Sequence, residues 1–372
     1  MQSKSGGERK ARIAVIGTGW WATTAHLPAL AAHPDAEIVA ICDQRPDLLA
    51  RVADKFNVAK TYTDYNQLLR QADLDGVAVS VWNAAHYEVT RACLAHNLHV
   101  LVEKPMVLRA SHAKELVELA REQRRQLIIG YPYHYCERAR QAREVLQSGE
   151  LGQIRYINCY FASAVIDFFR GDDKPYGKLF PYSVVGPGQV YSNRERSGGG
   201  QGHLQVTHAA ALMHFITDLK PVYVMALMDN LDVKLDVINA ITSRMDNGAL
   251  VNVGSTGNLQ ISDPGKFTVQ VNCERGWLDI DFTSGAGRIR HADGSDEMLP
   301  ALDATAPPPG SEQSETLYPL YAPANNLVDA ITAGCANEST GEVGWRTVEL
   351  LEAAYRSASL NGQMVSVESL YR

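Results

Sequence analysis

Glu103-Lys104-Pro105 stands at the end of the apolar run Leu98-His99-Val100-Leu101-Val102. The run reads as a buried strand. The proline ends it, because proline lacks a ladder donor and pushes the residue before it into extended backbone. Lys104 then projects from the carboxyl edge of a strand, the edge at which open α/β sheets bind ligands. A lysine held there out of water loses proton affinity, since burial disfavours the charged form. It can take a proton from a hydroxyl or return one to a carbonyl. The same three residues would also make an ordinary surface turn, so their surroundings decide between the two.

The surroundings begin with Ile13-Ala14-Val15-Ile16 and, directly after it, Gly17-Thr18-Gly19-Trp20-Trp21-Ala22, which fits G-x-G-x-x-G/A. Gly17 permits the tight turn, Gly19 lets backbone approach a pyrophosphate, and the small third position lets helix and strand pack closely. The helix that follows offers its amino terminus to phosphate. A second strand, Ile38-Val39-Ala40-Ile41-Cys42, ends in Asp43, 24 residues past Gly19, near where an acid accepts the ribose hydroxyls. Strand, turn, helix, strand and acid in this order indicate a dinucleotide site. A carboxylate at Asp43 favours NAD over NADP. Arg45 is the counter-argument: it can hold a 2′-phosphate, stack on the adenine or stay solvated. Of Trp20 and Trp21, one can cover the cofactor while the other packs against a neighbouring domain.

These residues need a scaffold, and the chain alternates accordingly. Residues 76–80, 98–102 and 127–130 read as buried strands, and 84–96 and 109–125 as helices. Unbroken apolar runs separated by helices predict a parallel sheet covered on both faces, a Rossmann-type α/β domain over 11–130. Residues 131–372 change character. Alternating runs at 154–161, 268–271 and 277–281, with plausible neighbouring strands at 237–241 and 249–253 joined by the turn Asp246-Asn247-Gly248, predict a large, mostly antiparallel α+β sheet domain, with helices at 139–146, 324–333 and 345–357. One face of that sheet lacks helices in sequence to cover it, so a homodimer or homotetramer packed through it is expected. The stretch between Phe161 and Arg196 is irregular and rich in polar and aromatic residues, which reads as a binding loop or a solvated one. Arg170 and Tyr176 are its candidates for substrate contact.

Composition sets limits. With 372 residues, a sizeable two-domain core is available, and a net charge of -7 gives no sign of nucleic-acid or basic membrane-surface binding. No apolar run approaches a membrane span. Residues 1–10 are expected to be a mobile tail without signal-peptide character. The six cysteines are scattered without a C-x-x-C, which fits a reducing cytoplasm and not a zinc site. Residues 304–314, with Pro307-Pro308-Pro309, form one compositionally odd loop.

The glycine turn, Glu103-Lys104-Pro105, the turn Gly149-Glu150-Leu151-Gly152 and Gly198-Gly199-Gly200 ahead of His208 resemble the glucose–fructose oxidoreductase and inositol dehydrogenase family, often labelled Gfo/Idh/MocA. The resemblance runs from about residue 11 to the end. It implies a Rossmann domain followed by an open-faced sheet domain, and a nicotinamide-dependent oxidoreductase of sugars, cyclic polyols or related compounds. It implies that Lys104 contacts the substrate hydroxyl or carbonyl and that His208 lies on a helix lining the sheet domain, the two forming the catalytic pair. Relatives often carry an aspartate four residues before that histidine. This chain has Leu204, with Gln205 beside it resembling a variant of the pattern. The resemblance also places Tyr131 and His134 near substrate, and Trp82, His86 and Glu103 near the cofactor. Tyr131-Pro132-Tyr133-His134-Tyr135 lacks the arginine or asparagine common there, and Trp82-Asn83 replaces a Pro-Asn, so the substrate is open. His203 and His214 fall outside the pattern and are expected to pack or cap.

Three function classes stand. The first is a sugar or polyol dehydrogenase with NAD. The second is a glycoside-cleaving enzyme that oxidises transiently with NAD and then eliminates. The third is a non-catalytic nucleotide-binding sensor.

Overall fold

The computed structural model describes residues 9–179, 182–302 and 317–372; most of the expected N-terminal tail and the Pro307-Pro308-Pro309 loop lie outside them. The first sheet is built from β1 (Ala11–Ile16), β2 (Ala36–Cys42), β3 (Lys60–Tyr62), β4 (Gly76–Val79), β5 (His99–Val102) and β6 (Leu127–Ile129). Their order is β3-β2-β1-β4-β5-β6, with every neighbouring pair parallel. The chain works outward from β1 to β3, then crosses to β4 and works outward again. The crevice between β1 and β4 is therefore the switch point where such sheets bind ligands. The glycine turn leaves β1, Trp82 follows β4 and Lys104 follows β5, so all three reach the same edge.

The second sheet contains β7 (Ile154–Ala162), β8 (Pro221–Asp229), β9 (Ile238–Met245), β10 (Leu250–Thr256), β11 (Lys266–Cys273), β12 (Trp277–Asp281), β13 (Gly287–Arg290), β14 (Asp296–Leu299) and β15 (Val365–Ser366). The order is β14-β13-β12-β11-β7-β10-β9-β8-β15, antiparallel throughout except for β7 with β10. Side chains alternate across it. Ile157, Val251, Val269, Leu278 and Ile280 point inward onto the helices Glu137–Gln147, Thr207–Thr217 and Gly341–Ser359. The other face carries Tyr160, Tyr223, Met225, Leu227 and Leu250 at its surface.

Two features depart from a division made along the chain. Helix Ala322–Thr332 returns to the first sheet, burying Ala324, Leu327 and Val328 with Ile13, Val15 and Leu101. Its small and aliphatic face fills the surface that β1 and β5 leave open, so 131–372 is not one spatial unit. Helix Thr207–Thr217 is buried at every residue. Ala209 and Ala210 face the second sheet's core while Ala211 joins the core of the first, so this helix is wedged between the two domains.

Candidate active site

Gly17 has φ +88°, and any β-carbon there would run into the backbone of Ser80 at the end of β4. Only glycine meets both conditions. A β-carbon on Gly19 would meet nothing nearer than Arg45 Nη2 at 3.7 Å, so its outer side is open. Thr23 N–H donates to Gly19 O at 3.1 Å, which starts the helix at the turn. Asp43 is buried at the end of β2. Its Oδ2 accepts from the Thr18 N–H at 2.9 Å, and Arg45 grips both oxygens at 2.9 Å. Burial pushes the Asp43 carboxyl up, but the Arg45 guanidinium and the N–H groups of Thr18 and Arg45 outweigh it and hold it below the usual carboxylate range. An open glycine, a helix amino terminus and a buried carboxylate one strand over are what a dinucleotide needs, and these residues fit it.

Lys104 is half-buried, and its Nζ donates to the carbonyl of Leu204 at 3.1 Å. Burial brings its pKa down from 10.5 to about 8, with the Glu103 carboxylate opposing. Leu204 lies on a π-helical stretch, Gly202–Val206, that leads straight into the helix carrying His208. π-Helical turns concentrate at functional sites, and a second one, Ala22–His26, follows the glycine turn. His208 Nδ1 is buried without a partner among the described residues. Burial, then the Lys104 cation, then His134 hold its pKa well below 6.5. The sequence led to a histidine titrating near neutrality; in the structure His208 is a neutral ring. Tyr131, Tyr133 and Tyr318 stand edge-on to it at 5.8, 5.7 and 6.0 Å, and Phe161 lies roughly parallel at 6.5 Å.

Other expected site residues turn out differently. Tyr131 lies beneath His208, its hydroxyl bonded to Thr207 Oγ1 at 2.7 Å. His134 has no exposed surface. It stacks on Phe215 at 4.6 Å, bonds Ser339 Oγ at 2.9 Å and is held down to about 3 by burial, so it supports the site from behind and does not meet substrate. Arg170 is exposed and paired with Asp167 and Asp232, which consume its charge at the surface. Tyr176 is buried, stacked on Phe168 at 3.9 Å. His86 is buried between the carbonyls of Pro105 at 2.8 Å and Val81 at 3.1 Å, where it braces two edge loops and leaves no face for a cofactor.

Trp82 stays 37% exposed with the Arg196 guanidinium 5.3 Å above its ring, and Gln205 is half-buried beside Leu204. Trp20 is the tryptophan that packs on the second domain, against Phe168 and Tyr182 at 5.9 Å each, with Trp21 edge-on to it. The supposed binding loop is thus largely an inter-domain clasp. His203 packs on Tyr355 at 4.6 Å and His214 bonds the Leu219 carbonyl at 2.8 Å.

Sequence reasoning missed Asp236, His26, Tyr133, Tyr318 and Phe161. Asp236 is buried and caps the start of the segment that leads into the His208 helix. It accepts from the N–H groups of Gly200 and Gly202 at 2.7 Å, from Asn239 Nδ2 at 2.8 Å and from the Tyr355 hydroxyl at 2.9 Å. β-Carbons at 199, 200 and 202 would collide with Tyr355 or Asp236, which explains the glycine run.

The chain matches a model described as oxidoreductase family, NAD-binding Rossmann fold over residues 11–131, and a GFO/IDH/MocA C-terminal domain model over 139–279. It is 30% identical to D-glucoside 3-dehydrogenase of Escherichia coli over 189 residues, 51% of this chain and 49% of that protein. It is 30% identical to inositol 2-dehydrogenase of Salmonella typhimurium over 136 residues, 36% of this chain and 40% of that one. The chain thus spans about half or less of the curated relatives it matches. Levoglucosan dehydrogenase, solved with NADH and levoglucosan, shares the fold with a TM-score of 0.78 at 16% identity, covering 96% of this chain and 100% of the other.

Proposed function

The chain belongs to the Gfo/Idh/MocA oxidoreductase family, and from that premise we propose that it moves a hydride between a nicotinamide and a secondary alcohol or ketone of a neutral sugar, glycoside or cyclic polyol. The observation that carries this reading is the bond between Lys104 Nζ and the carbonyl one turn before His208. It brings a strand-edge lysine from one domain to the histidine helix of the other.

Gly17, Gly19, the helix amino terminus and Asp43 would hold the dinucleotide, which supplies the hydride acceptor or donor when bound. The protein supplies the proton chemistry. Neutral Lys104 takes the proton of the alcohol as it is oxidised; charged Lys104 returns it to a carbonyl. The Leu204 carbonyl fixes the direction of the Nζ, and the His208 ring, whose Nδ1 has no partner among the described residues, offers a second hydrogen bond to the same hydroxyl. Tyr133, Tyr318 and Phe161 present ring edges and faces that suit the C–H surface of a pyranose or inositol.

A homodimer or homotetramer through the open face of the second sheet is part of the proposal, supported by its surface apolar residues. A cytoplasmic location fits the six free cysteines. Among the described residues no helix is long and apolar enough to cross a membrane.

The test is a panel of sugars, polyols and aryl glycosides with NAD and with NADP, following reduced nicotinamide and glycone release together. Net reduction without bond cleavage supports the proposal. Glycone release without net reduction would replace it with transient oxidation and elimination. Silence across the panel would favour a sensor.

A further inference from the structure

The Glu103 carboxylate sits in a pocket built for it. It is 6% exposed and lies against Gly130, where any β-carbon would strike the carboxylate. Its Oε1 is 2.8 Å from Nε2 of His26, itself 1% exposed, and its Oε2 accepts the backbone N–H of Lys104 at 3.1 Å. His26 closes the π-helical stretch that follows the glycine turn, so the pair ties the nucleotide-binding helix to the strand end that carries the lysine. The desolvation of a buried ionisable pair can exceed what the pair returns, so such a pair is weak evidence of stability alone, and one placed beside a reactive lysine calls for a role there.

We propose that Glu103, held by His26, is a positioning residue for Lys104: it fixes the backbone from which the side chain springs and supplies the counter-charge that sets its proton affinity. Leu204 stands where relatives often carry a carboxylate, and Glu103 provides the negative charge from the other side. The titratable groups facing Lys104 are Glu103, His208 and His86. Those facing Glu103, besides His26, Lys104 and His86, are Tyr131, Tyr191 and Tyr318, all three neutral near pH 8 because burial pushes them up. Burial likewise holds His208 and His86 low, so neither changes charge there and Glu103 is the charge that acts on the lysine. The inference rests on the acid–base role of Lys104 but is tested without turnover.

The experiment is a short pulse of acetic anhydride on the full-length protein from pH 6 to 11, with acetylation at Lys104 quantified by peptide mass spectrometry. The wild-type half-rise is expected at about 8. Glu103→Gln keeps the shape and removes the charge, and should move the half-rise down by about one unit, the low end for one neighbouring charge. His26→Gln keeps a donor to the carboxylate and should leave the half-rise within a few tenths. An unmoved half-rise in folded Glu103→Gln would overturn the proposal, as would an equal downward shift in both variants. Should Glu103→Gln fail to fold, Gly130→Ala displaces the same carboxylate sterically, and an unmoved half-rise there overturns the proposal as well. A shifted half-rise with no turnover on any sugar would keep the counter-charge role and refute only the redox reading.

Discussion

In the proposed mechanism Lys104 is the residue on which the chemistry turns, and its titration would dictate the pH behaviour. On that proposal, alcohol oxidation needs it neutral and ketone reduction needs it charged. With burial bringing it to about 8, kcat/KM for oxidation should rise through about pH 8 and that for reduction should fall through the same pH. Measuring both limbs on one substrate checks the sign. The depressed value also carries a stability cost: between about 8 and 10.5 the unfolded chain binds the proton the folded chain has released, so stability rises with pH across that window and is lowest below it. Lys104→Met should therefore unfold no more easily than wild type at pH 7 while losing about 10²–10⁴-fold in turnover; denaturant midpoint and turnover together separate the two effects. Leu204 behaves differently. Its carbonyl faces the lysine, but its side chain is buried with Val165, Phe168 and Val237. Leu204→Asp should not restore a catalytic carboxylate; it should cost more than about 2 kcal/mol by urea unfolding, because it places a charge in an apolar cluster. Asp43→Ala should narrow the preference for NAD over NADP by about 1–3 kcal/mol in binding titrations.

The helix that carries His208 depends on its cap. Four donors converge on Asp236, two of them N–H groups of the glycine run. Asp236→Ala strands these donors and should cost about 2–4 kcal/mol in denaturant unfolding, at or above the top of the range for a lost cap because the donors are buried. This element shows where reading from sequence stopped. Asp236 lies 36 and 34 residues from the two glycines it binds, and no local pattern links them. His26 is similarly 77 residues from Glu103. Five of the six Rossmann strands were legible because doubly buried strands are unbroken apolar runs, whereas the short exposed edge strand β3, Lys60–Tyr62, was not. β9 and β10 were legible as a pair because the turn Asp246-Asn247-Gly248 joins two apolar-rich runs, although β9 itself buries the polar Asn239 and Ser243 and exposes Ile238. β8 was not, since its outward Tyr223, Met225 and Leu227 are as apolar as its inward Val224 and Ala226. Lys104 was visible because a proline marks the strand end, whereas the place of His208 came from family resemblance and not from its own surroundings in sequence. Arg170 looked like a ligand contact because the stretch read as irregular, which hid its helical i,i+3 pairing with Asp167, and because Asp232 lies 62 residues away, beyond any local spacing.

At the scale of the molecule, helix Thr207–Thr217 is held between two cores, so the bond from Lys104 to the Leu204 carbonyl ahead of that helix lasts only while both domains stay docked. The clasp of Trp20 on Phe168 and Tyr182 and the return of helix Ala322–Thr332 to the first sheet keep them so. The open face of the second sheet points outward with Met225 and Leu227 47% and 64% exposed. Light scattering should return at least twice the chain mass of 40.8 kDa, and Met225→Lys with Leu227→Lys should bring it toward one chain; a wild-type mass of a single chain would remove the assembly proposal. The account as a whole rests on Lys104 as the proton carrier for hydride transfer. Its most direct test is the pH profile of kcat/KM for oxidation of the best panel substrate by wild type and by Lys104→Met. The account predicts a rise through about pH 8 in the wild type, and in the variant a loss of about 10²–10⁴-fold with that rise abolished. A variant that retains both rate and rise would contradict it.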